Sequence, residues 1–117
     1  MRIAHLTTVH PRDDTRIFRK MCRSVAAAGH DVTLHVADGR VQDEIDGVKI
    51  VDVGRPSGRV ARATVIAARM WREALRSRPH VLHFHDPELI PGGIVARLSG
   101  RRVVYDIHEY YRIHLRQ

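Results

Sequence analysis

"PHVLHFHDPELIPGG", residues 79–93, is the stretch on which the fold turns. His80 to His85 is a short apolar run of the kind that forms a central strand, and it stops at Asp86-Pro87. An acceptor side chain followed by proline starts a helix well, because the missing proline N–H costs nothing in the first turn. Ile90, Ile94 and Leu98 carry that helix to Gly100. The polar strand end, with His83, His85 and Asp86, fits three readings: a metal site, the rim of a cleft, or a buried strand reaching water.

The same alternation runs outward in both directions. Residues 2–7 ("RIAHLT") form a first strand, and Asp13 or Asp14 then caps a helix whose Ile17, Met21, Val25 and Ala28 recur at helical spacing before Gly29 ends it. Residues 31–38 and 48–53 are the second and third strands, joined without a helix by a polar loop with Gly39, Asp43, Asp46 and Gly47; a hairpin or a longer loop fits that link. A second helix runs from Gly58 to Ser77, with Val60, Ala63, Ala67, Met70, Trp71, Ala74 and Leu75 on one side and Arg59, Arg62, Arg69, Arg72 and Arg76 on the other. Residues 102–107 are the last strand. This order predicts an α/β, Rossmann-like fold: a mostly parallel five-stranded sheet with helices on both faces, since parallel strands need crossovers. Ligands of such sheets bind outside the carboxyl ends of the strands. There lie Thr7, Thr8 and His10, then His85 and Asp86, then Asp106, His108 and Glu109.

Composition narrows the classes. At 117 residues the chain fits one domain with a real core, and 44% hydrophobic against 5% aromatic residues indicates an aliphatic interior. The net charge of +7, almost all from arginine, suits an anionic partner. The arginine face of the second helix fits a solvated surface or acidic lipid headgroups. Nucleic acid is not expected, because no aromatic residues interleave with the arginines to stack bases. A lone cysteine, Cys22, makes no internal disulfide and is expected as a small buried hydrophobe in a reducing compartment. "IAHLTTV" is too short for a signal-peptide core and no run has the length of a membrane span, so a cytoplasmic location is expected, with peripheral contact at the inner face of the membrane as an option.

The motifs exclude as much as they suggest. No G-x-G-x-x-G and no phosphate loop occur, which argues against an ordinary NAD or ATP site. The loop after the first strand still offers His10, Arg12 and a helix N-terminus to an anion. His83 and His85 share a strand face, as two metal ligands could, but no His/Glu helix motif or cysteine pair supplies a third, so no metal is expected. Asp86 and Glu88 are a carboxylate pair, and each has a structural role in reach. Asp86 is placed to cap the helix, and Glu88 in its first turn is worth about 0.3–1 kcal/mol against the helix dipole.

"MRIAHLTTVHPRDDTRIFRKMCRSVAAAGHDVTLHVAD", "GVKIVDVGR", "HVLHFHDPELIPGG" and "RVVYDIHEYY" together resemble the N-terminal domain of family 4 glycosyltransferases of the GT-B fold. The resemblance spans the chain and is most specific at "HP..DTRIFRK", "HFHDPEL" and "YDIHE". It implies a retaining, metal-free sugar transfer from a nucleotide-sugar donor to a glycan or lipid-linked acceptor, in a cleft between two Rossmann-like domains. Residues 1–117 would then be a partial acceptor-side domain, inactive alone. The donor nucleotide would bind mainly a C-terminal domain absent from this chain, which a partner chain would have to supply, and no other cofactor is implied. By the same resemblance His108 and Glu109 are the catalytic candidates, with His10, Asp14, Arg16, His85 and Asp86 as substrate-binding candidates. His10-Pro11-Arg12-Asp13 stands where many members carry a glycine-rich loop, so acceptor contacts would differ. The alternative from another class is a non-catalytic module binding a glycan, an anion or a membrane.

Overall fold

The computed structural model describes residues 1–10, 12, 15–40 and 42–105. Among these residues six strands form one sheet: β1 (Arg2–Leu6), β2 (Asp31–Val36), β3 (Asp43–Ile45), β4 (Val48–Asp52), β5 (Val81–Phe84) and β6 (Arg102–Tyr105), in the spatial order β3-β4-β2-β1-β5-β6. All neighbours are parallel except β3 and β4. Among the described residues, three helical segments accompany them. α1 covers residues 15–27, α2 residues 59–76, and α3 residues 87–98, the last opening with a 3-10 turn at Pro87–Leu89.

The expected mostly parallel α/β sheet is present, with one strand more than the five expected. The extra strand is β3, inside the segment expected as a loop. Asp46 and Gly47 both take positive φ, 52° and 80°, and join β3 to β4 by a two-residue turn. An Asp-Gly pair suits the I′ geometry of such hairpins, because both central residues must enter the left-handed region.

Each face has its own core. On one, Ile17, Phe18 and Cys22 of α1 pack on Val32, Leu34, Val36, Val48 and Ile50. Burial pushes the Cys22 thiol up to about 12, which leaves it an inert hydrophobe, as expected. On the other face Met70, Trp71 and Ala74 of α2, with Leu89 and Ala96 of α3, cover Ala4, Leu6, Leu82 and Phe84.

The small residues of "IPGG" have a packing reason. A Cβ on Gly92 would lie 2.3 Å from the Trp71 ring, and one on Gly93 would lie 2.8 Å from Phe84. The indole Nε1 donates to Leu89 O at 3.1 Å, so the ring is held where it is. α3 therefore turns Leu89, Gly93 and Ala96 inward. Ile94 and Leu98, whose spacing marks out the helix, point outward at 55% and 83% exposure, as does Val60, expected on the apolar side of α2. Helical spacing locates the helix, but close approach chooses its inner face. A Gly→Ala change in an open helix gains up to about 1 kcal/mol. Gly92→Ala should instead lose about 1–3 kcal/mol, as overpacking does, read from the urea midpoint.

His35 on β2 is buried, and burial drops its pKa to about 4, opposed by Glu73. The unfolded chain, with a pKa near 6.5, takes up the proton first. Stability from this group is therefore complete above about pH 6.5 and falls by about 1.4 kcal/mol per pH unit down to about pH 4, roughly 3 kcal/mol in all. Urea midpoints between pH 7 and 4 should show this slope, and His35→Leu should remove that share of it.

Candidate functional site

The chain winds in one direction from β1 through α1 to β2, and in the other from β4 through α2 back past β1 to β5. The switch point is thus between β1 and β5, where a doubly wound sheet opens a crevice at its carboxyl edge. The ladder there runs to the strand ends, where His85 N–H donates to Leu6 O at 3.0 Å, and on the other side of β1 Thr7 N–H donates to His35 O of β2 at 3.0 Å.

Beyond the ladder, Asp86 joins the two strand ends. One of its oxygens, Oδ2, accepts from the Thr7 hydroxyl at 2.5 Å and from the Thr8 amide at 2.8 Å. Oδ1 lies 3.5 Å from His10 Nε2. The expected capping role of Asp86 is corrected here. It stands at the N-cap in extended conformation, but its side chain makes no capping bond and crosses to β1 instead. Two donors on the neighbouring strand outcompete one on the following helix. Burial raises the Asp86 pKa, while the Thr7 and Thr8 donors pull it back.

Glu88 also does more than balance a dipole. Its Oε1 accepts from the Thr8 hydroxyl at 2.6 Å and pairs with Arg62 Nε at 2.7 Å. This ion pair draws Arg62 out of the expected basic surface. Arg69 donates to Val53 O at 3.1 Å yet stays exposed, as do Arg59, Arg72 and Arg76. Tyr105, at the end of β6, stacks on Phe84 at 4.7 Å, and its pKa is raised by burial and then by the charges of Asp86 and Glu88.

Arg12 is not the open anion receiver that the loop suggests. It is 4% exposed and grips Asp38 with two bonds, Nε to Oδ2 at 2.7 Å and Nη2 to Oδ1 at 2.9 Å. The hydrogen bonds from Arg12, with its charge behind them, lower the Asp38 pKa against the opposing effect of burial. This fork ties the loop after β1 to the loop after β2.

Of the expected site residues, His10, His85 and Asp86 come together at this edge. His85 is turned beneath it, toward the α1 side, where its ring stacks with His5 and His83. His108, Glu109, Asp14 and the side chain of Arg16 lie outside the described residues. Thr7 and Thr8 join the site from the strand end expected there, Glu88 from the carboxylate pair and Arg62 from the expected basic face, while Tyr105 joins it without being a candidate from the sequence. Thr7 and Thr8 are legible as a strand end, but Arg62 carries no local signal of its inward turn.

A family model described as a glycosyl transferase 4-like domain matches residues 15–117. The chain belongs to that family. It is also similar to a solved structure, the glycotransferase of kitacinnamycin, with a TM-score of 0.58 and 21% identity over 97% of this chain. At that identity the likeness is one of fold. The chain spans 33% of the length of that structure. No curated protein matches it.

Within this glycosyl transferase 4-like domain, Asp86 is the tie between the halves of the sheet. Asp86→Ala would strand the Thr7 hydroxyl and the buried Thr8 amide, and should cost about 2–4 kcal/mol in urea unfolding. Glu44→Ala, on the exposed β3, should stay within about 0.5 kcal/mol.

Proposed function

We propose that this domain is the acceptor-side half of a retaining glycosyltransferase, which moves a sugar from a nucleotide-sugar donor to a glycan or lipid-linked acceptor and is inactive without a donor-binding domain. The observation that carries this reading is the polar edge at the β1–β5 switch point, where His10, Thr8, Glu88 and Arg62 border a carboxylate fixed between two strands. Membership of the family supports the reaction class.

The residues divide by exposure. Asp86 is 3% exposed and already accepts two hydrogen bonds, so it acts as a positioning residue. Its second oxygen backs the His10 ring, whose side chain reaches 17% exposure. A carboxylate behind an imidazole fixes the ring's orientation, which lets the ring meet an acceptor hydroxyl in a defined pose. Thr8, Glu88 and Arg62 supply further donors and acceptors for a sugar along the same rim. His108 and Glu109 keep the role that the resemblance gives them, beside the transferred sugar. The transfer needs no metal in this scheme. The donor-binding half would stabilise the leaving diphosphate, and differential stabilisation of that charge supplies much of the rate.

The test is sugar transfer from a panel of nucleotide sugars by this chain combined with a donor-binding domain of the same family. Transfer is expected in combination and not from the chain alone. His108→Ala should abolish it, and His10→Ala should lower kcat/KM about 10- to 100-fold with unchanged unfolding behaviour. Glycan binding without transfer in any combination would favour the non-catalytic module.

A further inference from the structure

Parallel pairing of β1 with β5 puts His5 directly opposite His83, and His85 follows two residues on. His5 shares its register row with Leu34, so the trio lies on the α1 side of the sheet, beneath the polar edge and apart from it. The three rings form a close stack: centroids are 4.8 Å apart for His5–His83, 5.3 Å for His5–His85 and 4.5 Å for His83–His85. One ligand-capable nitrogen from each ring lies within 4.8 Å of the other two.

We propose that His5, His83 and His85 form a three-histidine site for a divalent transition-metal ion of the zinc class, clipping β1 to β5. Zinc takes imidazole nitrogens at about 2.0–2.1 Å, which in a tetrahedron sets them about 3.3 Å apart. His5 Nδ1 and His85 Nε2 are already 3.1 Å apart, so two ligands stand at the required separation. The third has to swing in. His83 is the partly exposed member, and rotation about its terminal χ angle is soft. The set is made of nitrogen alone, which favours zinc, copper or nickel over calcium or magnesium. Three protein ligands leave one position for water.

His83 is partly exposed on the same face. The cover given by α1 lies over β2 and β4, while Val104 of β6, opposite His83, remains 46% exposed. The ion would hold β1 and β5 together just below Thr7 and Asp86, and so stiffen the edge where the strand ends meet. The site does not depend on the glycosyltransferase reading and takes no part in sugar transfer.

The measurement is titration of chelator-treated full chain with Co2+ and then Zn2+. One equivalent of Co2+ should give the visible bands of a tetrahedral ion, and Zn2+ should displace it and raise the melting temperature. His83→Ala should weaken binding by more than the roughly 10- to 100-fold that loss of an outer-shell partner costs. His80→Ala, at the exposed start of the strand, should leave binding unchanged. In the wild-type chain, Zn2+ should shift the ring 15N resonances of His5, His83 and His85 together, a readout that needs no variant to fold. Absence of tetrahedral bands at millimolar metal, or bands that survive His83→Ala or leave those three rings unshifted, would overturn the site and make the trio a hydrogen-bonded stack only.

Discussion

Leu6 O accepts the last ladder bond from His85, and one residue later the Asp86 carboxylate takes the Thr7 hydroxyl and the Thr8 amide. This junction between β1 and β5 is where the two windings of the sheet meet, so every crossover depends on it. The helices on either face follow from it. α1 carries the chain away from β1 toward β2, and α2 brings it back across the other face to β5. A buried carboxylate is costly unless its acceptor sites are filled, and filling them with groups from the partner strand makes the cost a source of specificity. An alternative neighbour for β1 would leave Asp86 without these donors.

The edge is tied in two places. Asp86 joins β1 to β5, and the Arg12–Asp38 fork joins the loops after β1 and β2. Asp52 Oδ1 extends the pattern to β4, accepting from the amides of Asp38, Gly39 and Gly54 at 3.1 Å each. Carboxylates at strand ends thus serve as acceptors for loop amides across half the sheet. On the function proposed above, the residues left to meet a substrate are those at the rim, His10 above all. In a family whose members act on sugars, fixed rim geometry matters because hydroxyl groups are told apart by position.

The sheet and its helices are legible from apolar runs and breakers, since periodicity is a local property of the chain. "HDPELIPGG" announces a strand-to-helix junction, and the junction is there. What lies beyond local pattern is partnership. Asp86 looks like a cap because its near neighbours are helical, yet its donors are 78 and 79 residues away in sequence. Nothing in the sequence sets His5 beside His83 and His85, because only strand register brings it there. Arg12 and Arg62 look like solvent-facing charges on their own segments, and only the fold carries Asp38 and Glu88 within their reach. The third helix shows the reverse fault: its large apolar residues suggest the buried stripe, but the indole of Trp71 leaves room only for glycine. Asp46-Gly47, by contrast, is a turn pair visible in the sequence itself, hidden only by the shortness of the strand before it.

The small hairpin made by that turn has a meaning for life in concentrated solution. Without it β4 would present bare amides and carbonyls to any extended chain that drifted by. Asp43–Ile45 occupies them, with Glu44 seated opposite Lys49, and the outermost strand is then only three residues long and rich in acidic groups. A border so short and so charged is a poor template for a foreign strand. Three exposed residues that add nothing to either core thus shield the β4 side of the sheet.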